Sequence, residues 1–316
     1  MQYNNLGSSG LKISRLSYGS WLTFAKHIDD ACARKLIHTA FDQGINFFDN
    51  AEAYAQGKSE QCMGRILQQL PRDEFILSTK LFWGGSKPNQ TGLSRKHLRD
   101  GLHRSLGRLQ VDYVDLLYCH RPDPATPLLE TMQTMDMFIR QGLVLYWGTS
   151  EWSAVQLQQA YELAHQYGLI APSVEQPQYN MLHRIRVEQE YAPLYTKYGI
   201  GTTTWSPLAG GLLTGKYLAG IPKSSRFELE PSFKPHNLDV KSQLCTQLQP
   251  IAAALDCSLA QLAIAWCLKN ANVSSVILGA TTPGQLDENI KSLDYVDMLD
   301  QTCMLQVDSI LQDYIN

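Results

Sequence analysis

The chain has 316 residues, 44% of them hydrophobic and 18% charged, with a formal net charge of −3. That is enough apolar side chain for one large core or two smaller ones, and the near-neutral balance lacks the basic surface that a nucleic-acid partner demands. Seven cysteines form no CxxC pair and read as reduced, mostly buried thiols of a cytoplasmic protein, and the amino terminus has no charged-then-apolar signal pattern.

In chain order, MQYNNLG…GLKIS predicts a small hairpin. Eight short apolar, β-branched or aromatic runs come next: RLSYGS, INFFDN, FILSTK, YVDLLYCH, LVLYWGTS, PSVEQ, IGTTTWS and SSVILGA. Helical patterns lie between most of them, at about 29–43, 59–69, 127–141, 153–167 and 185–198. SRKHLRDGLHRSLGRL opens on Ser94 as N-cap and places Leu98, Leu102, Leu106 and Leu109 on one face. Its cations Arg95, Lys96, Arg99, His103, Arg104 and Arg108 read as a solvated face. SLAQLAIAWCLKN is an apolar helix opened by Ser258. It is the most hydrophobic run, yet Gln261 breaks it well short of the ~18–20 residues that span a bilayer.

The first polar or small residue after each run falls at Ser20, Asp49, Lys80, His120, Ser150, Gln176, Trp205 and Gly279. The pitch is about 30 residues, the size of a βα unit, and eight units make a (β/α)₈ barrel, here expected as a single domain over 1–316 with the hairpin closing its floor. The long last gap holds a Gly/Pro/Ser-rich stretch, about 206–240, and then a pair of helices; the stretch is expected to be a cofactor clasp or lid. An open doubly wound sheet shares the alternation, but no strict GxGxxG comes after the first strand, which favours the barrel.

Residues at the carboxyl ends of barrel strands converge on one mouth. Asp49, Lys80 and His120 end three successive strands, and Tyr54 stands on the loop after Asp49. A phenol with pKa ~10 is almost wholly protonated at neutral pH. A nearby lysine ammonium is expected to lower that pKa and make Tyr54 a proton donor or acceptor. A carboxylate keeps the lysine charged and aimed, which accounts for an apolar run ending in Asp49. His120 can hydrogen-bond a carbonyl oxygen as negative charge builds on it. Singly, these are a turn residue, a surface aromatic, a solvated strand terminus and a satisfied core histidine. On consecutive strand ends they point to carbonyl reduction, in which a hydride reaches carbon and a proton reaches oxygen. The other histidines make no HxxH or HExxH spacing, so no metal site is expected.

GGLLTGKY, residues 210–217, approaches the phosphate loop GxxxxGK[ST]. Tyr217 replaces the magnesium-binding hydroxyl and Pro207 stands where a strand should enter, so a nucleotide hydrolase is not expected. Backbone amides of SPLAGGLLTGK remain able to wrap a pyrophosphate.

Long ordered motifs carry a resemblance: FFDNAEAYAQGKSE, TKLFWGG, GLSRKHL, RPDPATP, YWGTSEWS, TWSPLAGGLLTGKY, GIPKSSR, QLAIAWCLKN and SSVILGA. Through them the chain resembles the aldo-keto reductases over essentially its whole length, and within them the β-subunits of voltage-gated potassium channels and their bacterial and plant relatives. The resemblance implies a barrel that binds NADP(H) extended, without a Rossmann motif. It implies a catalytic tetrad of Asp49, Tyr54 as general acid, Lys80 and His120. For the cofactor it implies Ser150 and Gln176 at the carboxamide and Trp205 beside the nicotinamide, with Ser20, Trp21, Asp49 and Gly279 nearby. Ser206, Pro207, Leu208, Ala209, Gly210 and Lys216 are implied as the pyrophosphate clasp, and Arg226, Thr281, Gln285, Glu288 and Asn289 at the adenosine end. Lys216 with Arg226 gives two cations for a 2′-phosphate, so NADPH is preferred over NADH.

Three departures stand out. Animal channel subunits tend to carry Asn where this chain has His120, so the full reductase tetrad is present here. Glu151 stands where they carry Arg in GTSxW, adding a negative charge near the mouth. Gly210 replaces a cysteine. The implied activity is NADPH-dependent reduction of aldehydes or ketones to alcohols, by pro-R hydride transfer with Tyr54 as general acid. Trp21, Phe82 and Trp83 are expected to shape an apolar substrate pocket, with a core role as the alternative. The competing reading is a cofactor-sensing regulatory module that docks on a potassium channel. Against it, the core is expected to begin almost at Met1, with no extension to plug a pore. A barrel that binds cofactor with negligible turnover is the third reading. The resemblance also implies a homo-oligomer, commonly a tetramer, not embedded in a membrane.

Overall fold

The computed structural model describes residues 1–21, 23–25, 27–312 and 314. The predicted hairpin forms from β1 (Tyr3–Asn5) and β2 (Lys12–Ser14), antiparallel. All eight predicted runs become strands: β3 (Leu16–Gly19), β4 (Phe47–Asp49), β5 (Ile76–Leu81), β6 (Val114–Cys119), β7 (Val144–Ser150), β8 (Val174–Gln176), β9 (Gly201–Thr204) and β10 (Val273–Leu278). Each is parallel to its predecessor, and β10 pairs with both β9 and β3, which closes the sheet. Closure removes both sheet edges, and the result is the expected (β/α)₈ barrel.

Side-chain alternation along a strand sorts the residues into two cores. Phe47, Ile76, Leu116, Tyr118, Val174 and Ile277 form one buried cluster inside the barrel, whereas Phe48, Leu77, Leu117, Cys119, Val276 and Leu278 join the larger cluster under the helices. Leu6 and Ile13 from the hairpin complete the inner cluster and close the floor. Gly7 permits this approach: its φ is +55°, and a Cβ there would overlap the carbonyl oxygen of Gly199. Counting up by twos from the inner cluster reaches Asp49, Lys80, His120, Gln176 and Gly279. The floor and the mouth therefore share one parity.

The outer layer contains α1 (Asp30–Asp42), α2 (Lys58–Leu67), α3 (Arg95–Leu109), α4 (Leu128–Arg140), α5 (Ala154–Tyr167) and α6 (Ala192–Tyr198). Ser94 caps α3 by accepting from the His97 amide, and Leu98, Leu102, Leu106 and Leu109 are buried as expected. The solvated-face reading of α3 fails at Arg108. Its Nε donates to Glu60 Oε2 of α2 at 2.6 Å, and that carboxylate, fully buried, also accepts from Thr79 Oγ1 at 2.5 Å. The helix predicted over 185–198 is split by a π-turn at Arg186–Glu190 before α6. Pro193 has no N–H to continue the i→i−4 ladder, so the turn resets it.

The stretch after β9 contains α7 (Arg226–Leu229) and then the predicted pair, α8 (Leu238–Ala254) and α9 (Leu259–Lys269). A Ser258–Gln261 capping box opens α9. Finally come α10 (Pro283–Ile290) and α11 (Gln301–Leu311). Among the described residues no single helix is long and apolar enough to cross a membrane; α8 and α9 pass only together, bent by 83°. All seven cysteines are free thiols, four of them buried.

Candidate active site

Strand parity delivers Asp49 and Lys80 to the same depth, and the inward carboxylate and ammonium meet. Lys80 Nζ donates to Asp49 Oδ2 at 2.5 Å, to the Asn50 carbonyl oxygen at 2.8 Å and to Tyr54 Oη at 3.1 Å. Its three protons are thereby used. Asp49 Oδ1 accepts from Ser78 Oγ at 2.7 Å and from Gln176 Nε2 at 3.1 Å. Both charges are buried, Lys80 entirely. A buried ion pair of this kind needs every lone pair and proton occupied, and here the neighbours supply the partners.

Tyr54 sits on the short turn after β4, where Ala55 and Gln56 take left-handed φ values of 47° and 57°. Because its Oη accepts from Lys80, its own O–H proton is left to point elsewhere. Its ring centroid is 5.8 Å from that of His120. The expected lowering of its pKa does not occur. Burial pushes the phenol well above its ordinary value and Asp49 pushes it further, with Arg121 opposing. Burial also lowers the Lys80 ammonium, against the pull of Asp49. His120 is held well below the usual imidazole range by burial, then by Lys80 and Arg121. It is therefore a neutral imidazole at physiological pH, and its buried Nδ1 makes no hydrogen bond among the described residues.

These groups open into a groove of about 1470 Å³. It is lined by Asp49, Tyr54, His120, Ser150 and Gln176, and by the indoles of Trp21, Trp83 and Trp205. Ser206, Pro207, Leu208, Gly210, Lys216 and Arg226 also line it, as do Gly279, Thr281, Gln285, Glu288 and Asn289. Four expected site residues lie elsewhere. Ser20 is buried beneath, donating to the Asp49 carbonyl oxygen at 3.1 Å, and Lys80 reaches the groove only through Tyr54. Phe82 and Ala209 pack on the core under the helices; Phe82 supports Trp83 edge-on at 4.9 Å. Trp83 itself is 43% exposed, so of the three expected pocket aromatics Trp21 and Trp83 face the groove and Phe82 does not. Strand alternation would aim Phe82 inward with Lys80, but the strand ends at Leu81 and the Phe82 side chain packs on the outer core instead.

Within the stretch 206–240, residues 206–225 fold as tight turns, not as strand–loop–helix. Gly210 and Gly211 have φ of 70° and 94°, and a Cβ on Gly210 would stand 2.9 Å from the Phe227 ring. Tyr217 stacks on Phe227 at 4.5 Å and donates to the Gly210 carbonyl oxygen at 3.1 Å. It is a buried pin, and the phosphate-loop resemblance has no structural counterpart. Trp21 joins this segment to the mouth: its ring meets Trp205 at 5.7 Å and Phe233 at 5.3 Å, both edge-on, with the Arg226 guanidinium 5.5 Å away. Burial lowers both Lys216 and Arg226, and Arg226 presses Lys216 down further. Two cations that repel each other along a groove are a donor set suited to phosphate.

Glu151, expected to add a negative charge near the mouth, has both carboxylate oxygens engaged. It accepts from the Gln178 amide at 2.6 Å, Arg186 Nη1 at 2.7 Å and Trp205 Nε1 at 3.0 Å, and so fixes the indole. Besides Glu60, two more buried acids escaped the sequence reading. Glu52 Oε1 accepts from the Phe82 amide at 2.8 Å and contacts His97 Nε2 at 2.9 Å, tying the Tyr54 loop to β5 and α3. Glu175, fully buried beside Gln176, accepts from Thr149 Oγ1 and from the Trp152 amide. Nothing local marks either residue, because their partners are distant in sequence.

Burial raises the Glu175 carboxyl to about 8. The folded protein thus holds a proton that the unfolded chain releases near pH ~4.3, so stability contributed by this group is full in acid and lost as pH rises from there through about 8. Glu175→Gln is expected to flatten the decline in melting temperature across that window. Parallel curves for the two proteins would show that Glu175 does not titrate there.

A barrel with this inward cluster and groove defines a class. The chain belongs to the aldo/keto reductase family, whose profile matches residues 15–312, and whose barrel generally binds NADP(H). Among characterised sequences it is 51% identical to a protein of Oryza sativa subsp. japonica named a probable voltage-gated potassium channel subunit beta, over 99% of this chain and 97% of that one. A protein of the same name from Arabidopsis thaliana is 50% identical over the same shares.

Proposed function

We propose that this chain binds NADP(H) along the groove and reduces small carbonyl compounds to alcohols. The observation that carries the reading is the Lys80 ammonium bridging Asp49 and Tyr54 at 2.5 and 3.1 Å. With Tyr54 Oη accepting from Lys80, its O–H is free to give its proton to a carbonyl oxygen. Neutral His120, lining the groove beside the Tyr54 ring, is assigned to hydrogen-bond the oxygen as charge develops. Lys80, oriented by Asp49, offsets the phenolate that Tyr54 becomes. When bound, NADPH supplies the hydride. Lys216 and Arg226 suit its phosphates, the turns at Ser206–Gly211 its pyrophosphate, and Ser150, Gln176 and Trp205 its nicotinamide end. Thr281, Gln285, Glu288 and Asn289 are assigned to the adenosine.

The relatives' names favour a second reading over turnover. Both are called probable potassium channel subunits, and on that ground the barrel is a cytoplasmic, cofactor-sensing module that assembles with a channel, as an oligomer of the kind such subunits form. The two readings separate in one experiment: NADPH binding by fluorescence quenching, run beside NADPH oxidation with a panel of aldehydes. Binding with turnover supports the reductase. Binding with no turnover on any aldehyde sinks it and leaves the channel module, to be tested by co-purification with a potassium channel's cytoplasmic domain.

A further inference from the structure

The residue after His120 sets a charge beside the proposed reaction centre, and its role as inferred below rests on the reductase reading. Arg121 Nη1 donates to the His120 carbonyl oxygen at 2.5 Å and to Ser150 Oγ at 3.3 Å. These bonds hold the guanidinium over the Trp83 ring, 5.4 Å from its centroid. The Trp83 ring lies in turn 5.0 Å from the His120 ring. Arg121 therefore stands one aromatic ring away from the imidazole, on the wall of the groove. Its Nε and Nη2 make no hydrogen bond among the described residues.

Among the described residues no carboxylate lies within ion-pair distance of Arg121, and the acids around the mouth are committed elsewhere. Asp49 is paired with Lys80, Glu52 with His97, and Glu151 with Arg186. The field of Arg121 is felt at Tyr54, Lys80 and His120, each of which it pulls down. A groove-lining guanidinium with one arm tethered and its other N–H groups unpartnered among the described residues is preorganised to take both oxygens of a planar anion. A single such cation matches one negative charge, which selects a carboxylate over a dianionic phosphate.

We propose that Arg121 makes this site prefer aldehydes that carry a carboxylate, their body packed against Trp83. The test compares 4-carboxybenzaldehyde with 4-nitrobenzaldehyde, using NADPH and the wild-type, Arg121→Met and Arg121→Lys proteins. The ratio of kcat/KM for the acid over the neutral aldehyde is expected to fall at least ~30-fold in Arg121→Met, mainly through KM, as befits a lost charge-assisted pair. Arg121→Lys, which keeps the charge without the fork, recovers part of it. A ratio that does not move, or an equal loss on both aldehydes, overturns the proposal and leaves Arg121 a support for Ser150. Calorimetry with benzoate on the NADP⁺-bound protein separates this from the reductase reading. If neither aldehyde turns over but benzoate binds, at least ~10-fold more weakly to Arg121→Met, the carboxylate site stands while the reductase reading fails. Benzoate binding that is absent, or indifferent to Arg121, overturns it.

Discussion

Tyr54→Phe is expected to lower kcat for aldehyde reduction by ~10²–10⁴-fold, the usual contribution of a positioned general acid. NADPH binding, read by quenching of its fluorescence, should stay within ~3-fold, a difference of less than 1 kcal/mol. The ring is retained, so its contact with His120 at 5.8 Å survives, and only the atom that Lys80 addresses is removed. The direction of the phenol's shift sets the pH dependence. Burial and Asp49 raise it, so the protonated, donating form persists through neutral pH and the rate of reduction should fall only on the alkaline side. A variant that keeps a tenth or more of its turnover would show that the proton comes from another donor.

Lys80→Met is expected to have the largest effect on stability. The Met side chain fills the space, but Asp49 is left as a buried carboxylate with only Ser78 and Gln176 to address it. Breaking a buried pair by removing one partner typically costs ~3–5 kcal/mol, more than the pair itself contributes. The denaturation midpoint of the single variant should drop accordingly, and Asp49→Asn placed on top of it should restore part of the loss. A double variant no more stable than the single one would mean that Asp49 and Lys80 are not coupled.

Local chemistry makes much of this legible. Ser94 and Ser258 are readable as caps because an N-cap bonds to an amide two or three residues away. The inward set is readable because Asp49 lies two residues after Phe47, and His120 two after Tyr118. Where the sequence misleads, the cause lies elsewhere in the chain. Arg108 reads as solvated, yet Glu60, 48 residues earlier, lies beneath it. Phe82 reads as a pocket aromatic, yet the loop after β5 turns it under Trp83.

The order of the strands, their pitch and the parity that aims Asp49, Lys80 and His120 at one mouth were determined by the sequence, because each depends on spacings of two or about thirty residues. The protonation states of that mouth were decided only by the tertiary structure. Ionisation energies depend on burial and on charges brought close from distant segments. Lys80, by sequence alone, is expected to lower the Tyr54 phenol. Enclosed with Asp49 against it, the same lysine leaves that phenol raised, and Arg121 lines the groove with no carboxylate within ion-pair distance among the described residues.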